Sequence, residues 1–212
     1  MLKTYELQLN EITNKLNSYF KEQKDYIKCK IGCGYCCSNA YYPISNIEYD
    51  YIKKGINLLF SKEDIKELNE KVWEIYKNRQ IFIKNNSNIH DFAYTCPFNK
   101  ENSCTIYEYR PILCRTYGLI SIDTSLGKEN LPYCINLNLN YANIWDYETS
   151  GFSNKKIKEL EYKTMPKAYD VSYSSLIKAF TEVDFKEIRM LYEWIILDIP
   201  DYQNIMDKIK KY

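Results

Sequence analysis

Apolar residues recur at helical intervals over residues 1–27, where Tyr5, Leu9, Ile12, Leu16 and Tyr19 or Phe20 fall on one face. That spacing predicts an amphipathic helix. Gly32 and Gly34 interrupt helical order. Pro43 and Ser45 then mark a new helix start, with Ile47, Tyr51, Ile52 and Ile56 on its inner side. Ser61 and the acidic residues Glu63 and Asp64 form a second start signal, since a serine oxygen satisfies an orphan amide of the first turn. The helix behind it is expected to run to about residue 84, burying Ile65, Leu68, Val72, Ile75 or Tyr76, and Ile81 or Phe82.

The periodicity fades between Phe92 and Cys134. Residues 119–123 alternate like a short strand, and Leu126, Gly127 and Lys128 suit a hairpin turn behind it. Past residue 150 the pattern is helical again. It is strongest over 181–197, where Val183, Ile188, Leu191, Tyr192 and Ile195 repeat and Thr181 with Asp184 makes a capping pair. Pro200 ends that helix and Asp201 opens a last short one. With no repeat, linker or low-complexity tract, the expected fold is mainly α. It is a single domain over 1–212, with a loop-rich, cysteine-lined core at about 29–134, at most a short hairpin, and a helical extension over 150–212.

The cysteines change the picture. Four of the eight, Cys29, Cys33, Cys36 and Cys37, fall within nine residues; Cys96, Cys104, Cys114 and Cys134 follow, and the last 78 residues hold none. Cysteines kept for packing would scatter, whereas cysteines that share a ligand must converge. The chain has a single histidine, His90, so thiolate sulfur dominates any site formed. Such sites select zinc, iron–sulfur clusters or cuprous copper over magnesium or calcium. His90 is an alternative fourth ligand near Cys96, although a lone histidine is more often a surface or core residue.

Cys33 and Cys36 have the C-x2-C spacing that lets one tight turn present two sulfurs. Gly32 and Gly34 suit that turn and leave backbone amides for the sulfurs. Neighbouring side chains usually diverge, so Cys36 and Cys37 are not expected to reach one metal together. Either one of them supports the other from behind, or the eight cysteines serve two centres. Four thiolates around zinc, or around a 4Fe-4S core, leave a net charge of about −2. Arg110 and Arg115, two of only four arginines, flank Cys114 and are expected to lie beside the site, because thiolates favour electropositive surroundings. Tyr35, Tyr107 and Tyr117 stand among the cysteines as shields or as proton donors and acceptors. Trp73, Trp145 and Trp194 are expected to pack in the interior.

The run Cys33-x2-Cys36-Cys37, then Cys96-Pro97, then Cys104-x-Ile106-Tyr107-x2-Arg110-Pro111-x2-Cys114-Arg115 resembles the YkgJ-type cysteine-cluster family, named for its C-x2-C-x2-CC signature. The resemblance spans about residues 29–134 and implies zinc or iron chelation by the cysteines. Three residues rather than two separate Cys29 from Cys33. More distantly, the chain resembles the cysteine-rich part of flagellin lysine N-methylases, which implies an iron–sulfur cluster and methyl transfer from S-adenosylmethionine to a protein or peptide. Cys29-x3-Cys33-x-Tyr35-Cys36 also resembles the cluster loop of radical S-adenosylmethionine enzymes, but the strand–helix alternation of their barrel is missing. That likeness favours iron–sulfur chemistry without that enzyme class. The competing expectation is a zinc-stabilised interaction module without catalysis. The sequence names no acid, base or nucleophile beyond the thiolates.

Bulk properties set the remaining limits. Twenty-nine basic and 28 acidic residues give a net charge of +1, so no global field draws the chain to nucleic acid or anionic lipid. No apolar run approaches the ~20 residues of a membrane span, and the first residues lack the apolar stretch of a signal peptide. A reducing, cytoplasmic setting is therefore expected, where eight cysteines read as metal-binding before disulfide. Substrate and oligomeric state leave no mark in the sequence.

Overall fold

The structure is a computed structural model that describes residues 1–29, 33–85, 92–123 and 127–200. Helices supply most of the regular structure, as the pattern predicts, but the residues group into two compact units rather than around one core. The first unit comprises Met1–Ile31 and Ile112–Val183; the second comprises Gly32–Pro111 and Asp184–Tyr212.

In the first unit, α1 (Leu2–Glu22) buries Tyr5, Leu9, Ile12 and Leu16, the stripe its periodicity predicts. The helix stops five residues short of expectation, because Gln23 turns its side chain to another segment. Its Oε1 accepts from the Lys167 amide at 3.0 Å. Beyond it Tyr26, Ile120, Ile135, Tyr141, Ile144 and Ile157 form a compact core. The predicted hairpin is present as β4 (Ile120–Asp123) and β5 (Lys128–Asn130), antiparallel with Ile122 opposite Glu129. Leu126 lies outside the described residues.

In the second unit, β1 (Pro43–Ser45) leads directly into α3 (Asn46–Leu59). Ser45 caps that helix reciprocally: the Glu48 carboxylate accepts from the Ser45 amide and hydroxyl, both at 2.9 Å, and the Glu48 amide donates back to the serine oxygen. Both residues are fully buried. The inner face of α3 includes Ile47 and Ile52 as expected, but Tyr49 and Gly55 replace Tyr51 and Ile56, which are half-buried. Tyr51 is turned aside to donate to the Glu108 carbonyl at 3.1 Å. Next comes α4 (Lys62–Asn85), which buries Leu68, Val72 and Ile75 and leaves Ile65 and Ile81 exposed.

The long helix expected over 181–197 does not form. Its first residues are irregular, Ile188–Met190 is a strand paired antiparallel with β1, and only Leu191–Leu197 is helical (α8). The edge of β1 offers nonlocal hydrogen bonds that a periodicity argument cannot weigh. Thr181 does not cap a helix; Gln8 takes its polar groups, with Nε2 donating to Thr181 Oγ1 at 2.8 Å and Oε1 accepting from its amide at 3.0 Å. Elsewhere in the 150–212 stretch the described helices are short: Asn154–Glu159 (α6) and Tyr173–Ile177 (α7). The helix expected from Asp201 onward lies outside the described residues. Trp194 packs inside the second unit, stacked on Tyr49 at 5.5 Å and donating to the Ile44 carbonyl at 3.0 Å. More strand is present than one hairpin, in four small sheets among the described residues.

Because the Ser45–Glu48 box is buried, Ser45→Ala removes a capping acceptor and strips the carboxylate of one donor. The expected cost is about 1–2 kcal/mol. A denaturant titration checks it, with a lower midpoint and an unchanged slope.

Candidate metal centre

Five of the eight cysteines, Cys33, Cys36, Cys37, Cys96 and Cys104, belong to the second unit. Cys36 and Cys37 sit on a single helical turn, α2 (Tyr35–Ser38), whose N-cap Gly34 has φ +55°. The amides of Cys37 and Ser38 both donate to the Gly34 carbonyl at 3.0 Å. The chain then runs antiparallel to the segment that carries Cys96. Ala40 bridges to Tyr94, and the Cys96 amide donates to the Cys37 carbonyl at 2.6 Å.

Cys104 is delivered by a tight hairpin. Strands β2 (Asn99–Lys100) and β3 (Ser103–Cys104) pair with Asn99 opposite Cys104. The two residues between them, Glu101 and Asn102, both have positive φ, at 52° and 61°. That is the turn whose twist matches paired strands, and asparagine is among the residues that adopt it most readily. The tip of this turn lies against Gly34: a Cβ there would stand 2.7 Å from the Asn102 Cα. Glycine at 34 thus answers both a left-handed backbone and a close approach.

Hydrogen-bond donors surround the sulfurs. Cys36 is held below the usual thiol range, chiefly by the Cys37 S–H that donates to it, against the opposing effect of burial. Cys37 is correspondingly pushed up, by that same bond first and then by burial. The Tyr42 hydroxyl lies against Cys36 and donates to its carbonyl. Burial pushes the Cys96 thiol up to about 12, while the amides of Phe98 and Asn99 donate to its sulfur and oppose the rise. Cys104 is also raised by burial, with the Ile106 amide and the Arg110 charge working the other way. Burial favours the protonated form of Cys96 and Cys104, whereas donors aimed at sulfur favour the thiolate. A bound cation resolves that conflict, because it replaces the protons with its own charge.

Arg110 acts electrostatically on Cys104. Its Nε donates to the Tyr107 carbonyl at 2.7 Å and its guanidinium lies 3.4 Å from the centre of the Tyr107 ring. Tyr107 is half exposed and Tyr35 half-buried on α2. Tyr42 and Asn102 add to the site without having been singled out in the sequence. Asn102 carries a signal, the Glu-Asn turn between two paired residues; Tyr42 carries none.

Cys29, Cys114 and Cys134 fall in the first unit. Cys29 is exposed, Cys114 is half-buried on α5 (Ile112–Thr116), and Cys134 is half-buried in a 3-10 turn over Tyr133–Leu137. Arg115 is in that unit too, 8% exposed, with its guanidinium donating to Thr13 Oγ1 at 3.2 Å. His90 lies outside the described residues. Among the described residues, no three Cys, His, Asp or Glu side chains are grouped tightly enough to hold one ion. No described helix is long and apolar enough to cross a membrane.

A model of the CxxCxxCC family, described as "Putative zinc- or iron-chelating domain", matches residues 28–135. The match takes in all eight cysteines and just over half of the chain, and the chain belongs to that family. No curated protein and no solved structure gives a significant match.

Gly34→Ala forces a side chain into a left-handed position and against the Asn102 backbone. The expected loss of stability is at least about 1 kcal/mol, read from the denaturation midpoint. Amide exchange over 99–104 should accelerate with it.

Proposed function

We propose that this member of the CxxCxxCC family carries a 4Fe-4S cluster in its second unit, with Cys33, Cys36, Cys96 and Cys104 as thiolate ligands. Cys37 then stands behind the cluster and donates its S–H to Cys36. The observation that carries the reading is the donor shell: backbone amides of Phe98, Asn99 and Ile106 and the Cys37 thiol all point at sulfur. Hydrogen bonds to sulfur are among the levers that set a cluster's reduction potential. The donor set is all thiolate, which suits iron–sulfur chemistry and zinc and disfavours hard cations. The preference for iron rests on the donors aimed at sulfur, by which a protein tunes the potential of a cluster and for which a redox-inert ion has less use. A 4Fe-4S core with four thiolates has a net charge of about −2, and Arg110 supplies a nearby positive charge. A reducing compartment such as the cytoplasm is the setting that keeps these thiols available.

Anaerobic purification with metal and sulfide analysis tests this. About four inorganic sulfides per chain, with matching iron and a brown colour that bleaches on reduction, are expected. A colourless protein holding zinc and no sulfide would favour the interaction module instead. Cys36→Ser, Cys96→Ser and Cys104→Ser should each lose the sulfide. Cys37→Ser should keep it and shift the reduction potential, and loss of sulfide in that variant would remove Cys37 from its supporting role.

Methyl transfer to a protein or peptide, with S-adenosylmethionine as donor, extends the same reading. A cavity of about 340 Å³ opens beside Cys96, lined among others by Lys71, Glu74, Asn78, Tyr94 and Asn99. It is where a small cosubstrate would meet the centre. Calorimetry on fully loaded protein should show saturable heat with S-adenosylmethionine; no heat would leave a cluster protein without this activity.

A further inference from the structure

The cavity of about 340 Å³ beside Cys96 lies wholly within the second unit. Cavities of roughly 300–1,000 Å³ take small organic ligands. One wall is a face of α4, where Lys71, Glu74, Ile75 and Asn78 recur at three- and four-residue intervals. The segment that leads to Cys96 supplies aromatic rings. Phe92 and Tyr94 stack at 5.9 Å, and each is held by a further ring: Phe82 lies 5.4 Å from Phe92, and Tyr192 stands edge-on to Tyr94 at 5.0 Å.

The polar groups of the lining differ in what they lack. Lys71 is already engaged, with Nζ 2.8 Å from the Glu67 carboxylate. Glu74 is exposed and makes no ion pair among the described residues. Asn99 Oδ1 is buried and accepts no hydrogen bond among the described residues. Such an acceptor is destabilising until a donor reaches it, and the broad terminal torsion of an asparagine lets the oxygen turn into the cavity. Cys96 lines the same space, and four thiolates around either zinc or a 4Fe-4S core leave a charge of about −2. An anion would meet Glu74 and those thiolates. A positively charged N–H donor with an apolar body matches every feature.

We propose that this cavity binds a small organic ammonium ion. Its N–H groups are taken by the Glu74 carboxylate and Asn99 Oδ1, and its apolar body packs against Ile75, Phe92 and Tyr94, whose ring faces also attract positive charge. The Asn99 amide donates to the Cys96 sulfur, so one residue joins the bound cation to the metal centre. The site depends neither on which metal the cysteines hold nor on methyl transfer. S-adenosylmethionine carries an ammonium group among several others, whereas the recognition assigned to this cavity reads that group alone.

The test titrates the full chain, with the metal it carries when purified anaerobically, against benzylamine and its neutral isostere benzyl alcohol, followed by nuclear magnetic resonance. Benzylamine should bind saturably and at least about fivefold tighter than the alcohol. Glu74→Gln, on the exposed face of α4, should cut that preference about threefold and leave the alcohol's affinity unchanged. Asn99→Ala should weaken both probes, since both donate a hydrogen. Ala93→Trp, at an exposed lining position, should block both while the denaturation midpoint stays in place. Equal affinity for the two probes would overturn the proposal, as would a preference indifferent to Glu74→Gln or no saturable binding of benzylamine. Sulfide content and heat with S-adenosylmethionine are separate readouts, so this proposal and the readings above fail separately.

Discussion

The hydrogen bond from the Cys96 amide to the Cys37 carbonyl, 2.6 Å long, is the constraint on which the second unit's site depends. It joins two segments 59 residues apart in sequence. With the Ala40–Tyr94 bridge beside it, it aligns the CC pair with the start of the hairpin that ends at Cys104. The hairpin's own turn then leans on Gly34, immediately after Cys33. Each cysteine segment is thus positioned by backbone contacts with another, and none depends on a long helix for its place. Helices α3 and α4 belong to the same unit and supply its apolar mass.

The electrostatics add a second constraint. Burial opposes ionisation of Cys96 and Cys104, and the shared proton of Cys36 and Cys37 leaves only one of that pair as thiolate. Amide donors prepare the sulfurs for negative charge without supplying the positive charge that would stabilise it. Metal binding and ordering of the site are therefore coupled, as in other thiolate centres where ligand deprotonation accompanies binding. The Cys36–Cys37 contact also alters how the adjacent cysteines are understood. Adjacent in sequence, they stay in contact, with the Cys37 thiol donating to the Cys36 sulfur.

Much of this was legible in the residues. The stripe of α1, the caps at Ser45 and Ser61, and the strand pair around Gly127 follow local rules, and local rules sufficed. The 181–197 segment did not follow them, because its apolar spacing fits a helix while the edge of β1 captures residues 188–190. The cysteines showed what kind of chemistry to expect but not how they divide. Cys29 and Cys33 are neighbours in the motif, yet the first belongs to one unit and the second to the other. Buried Asn140 could not have been found from spacing: its side chain accepts from the Lys28 and Cys29 amides and donates to the Gly118 carbonyl, contacts far apart in sequence.

X-ray absorption at the iron edge, on protein loaded under anaerobic conditions, tests the central claim most directly. The account requires a first shell of sulfur alone and a metal–metal shell outside it, both lost in Cys96→Ser. A first shell containing nitrogen or oxygen, or spectra unchanged by that substitution, would contradict it.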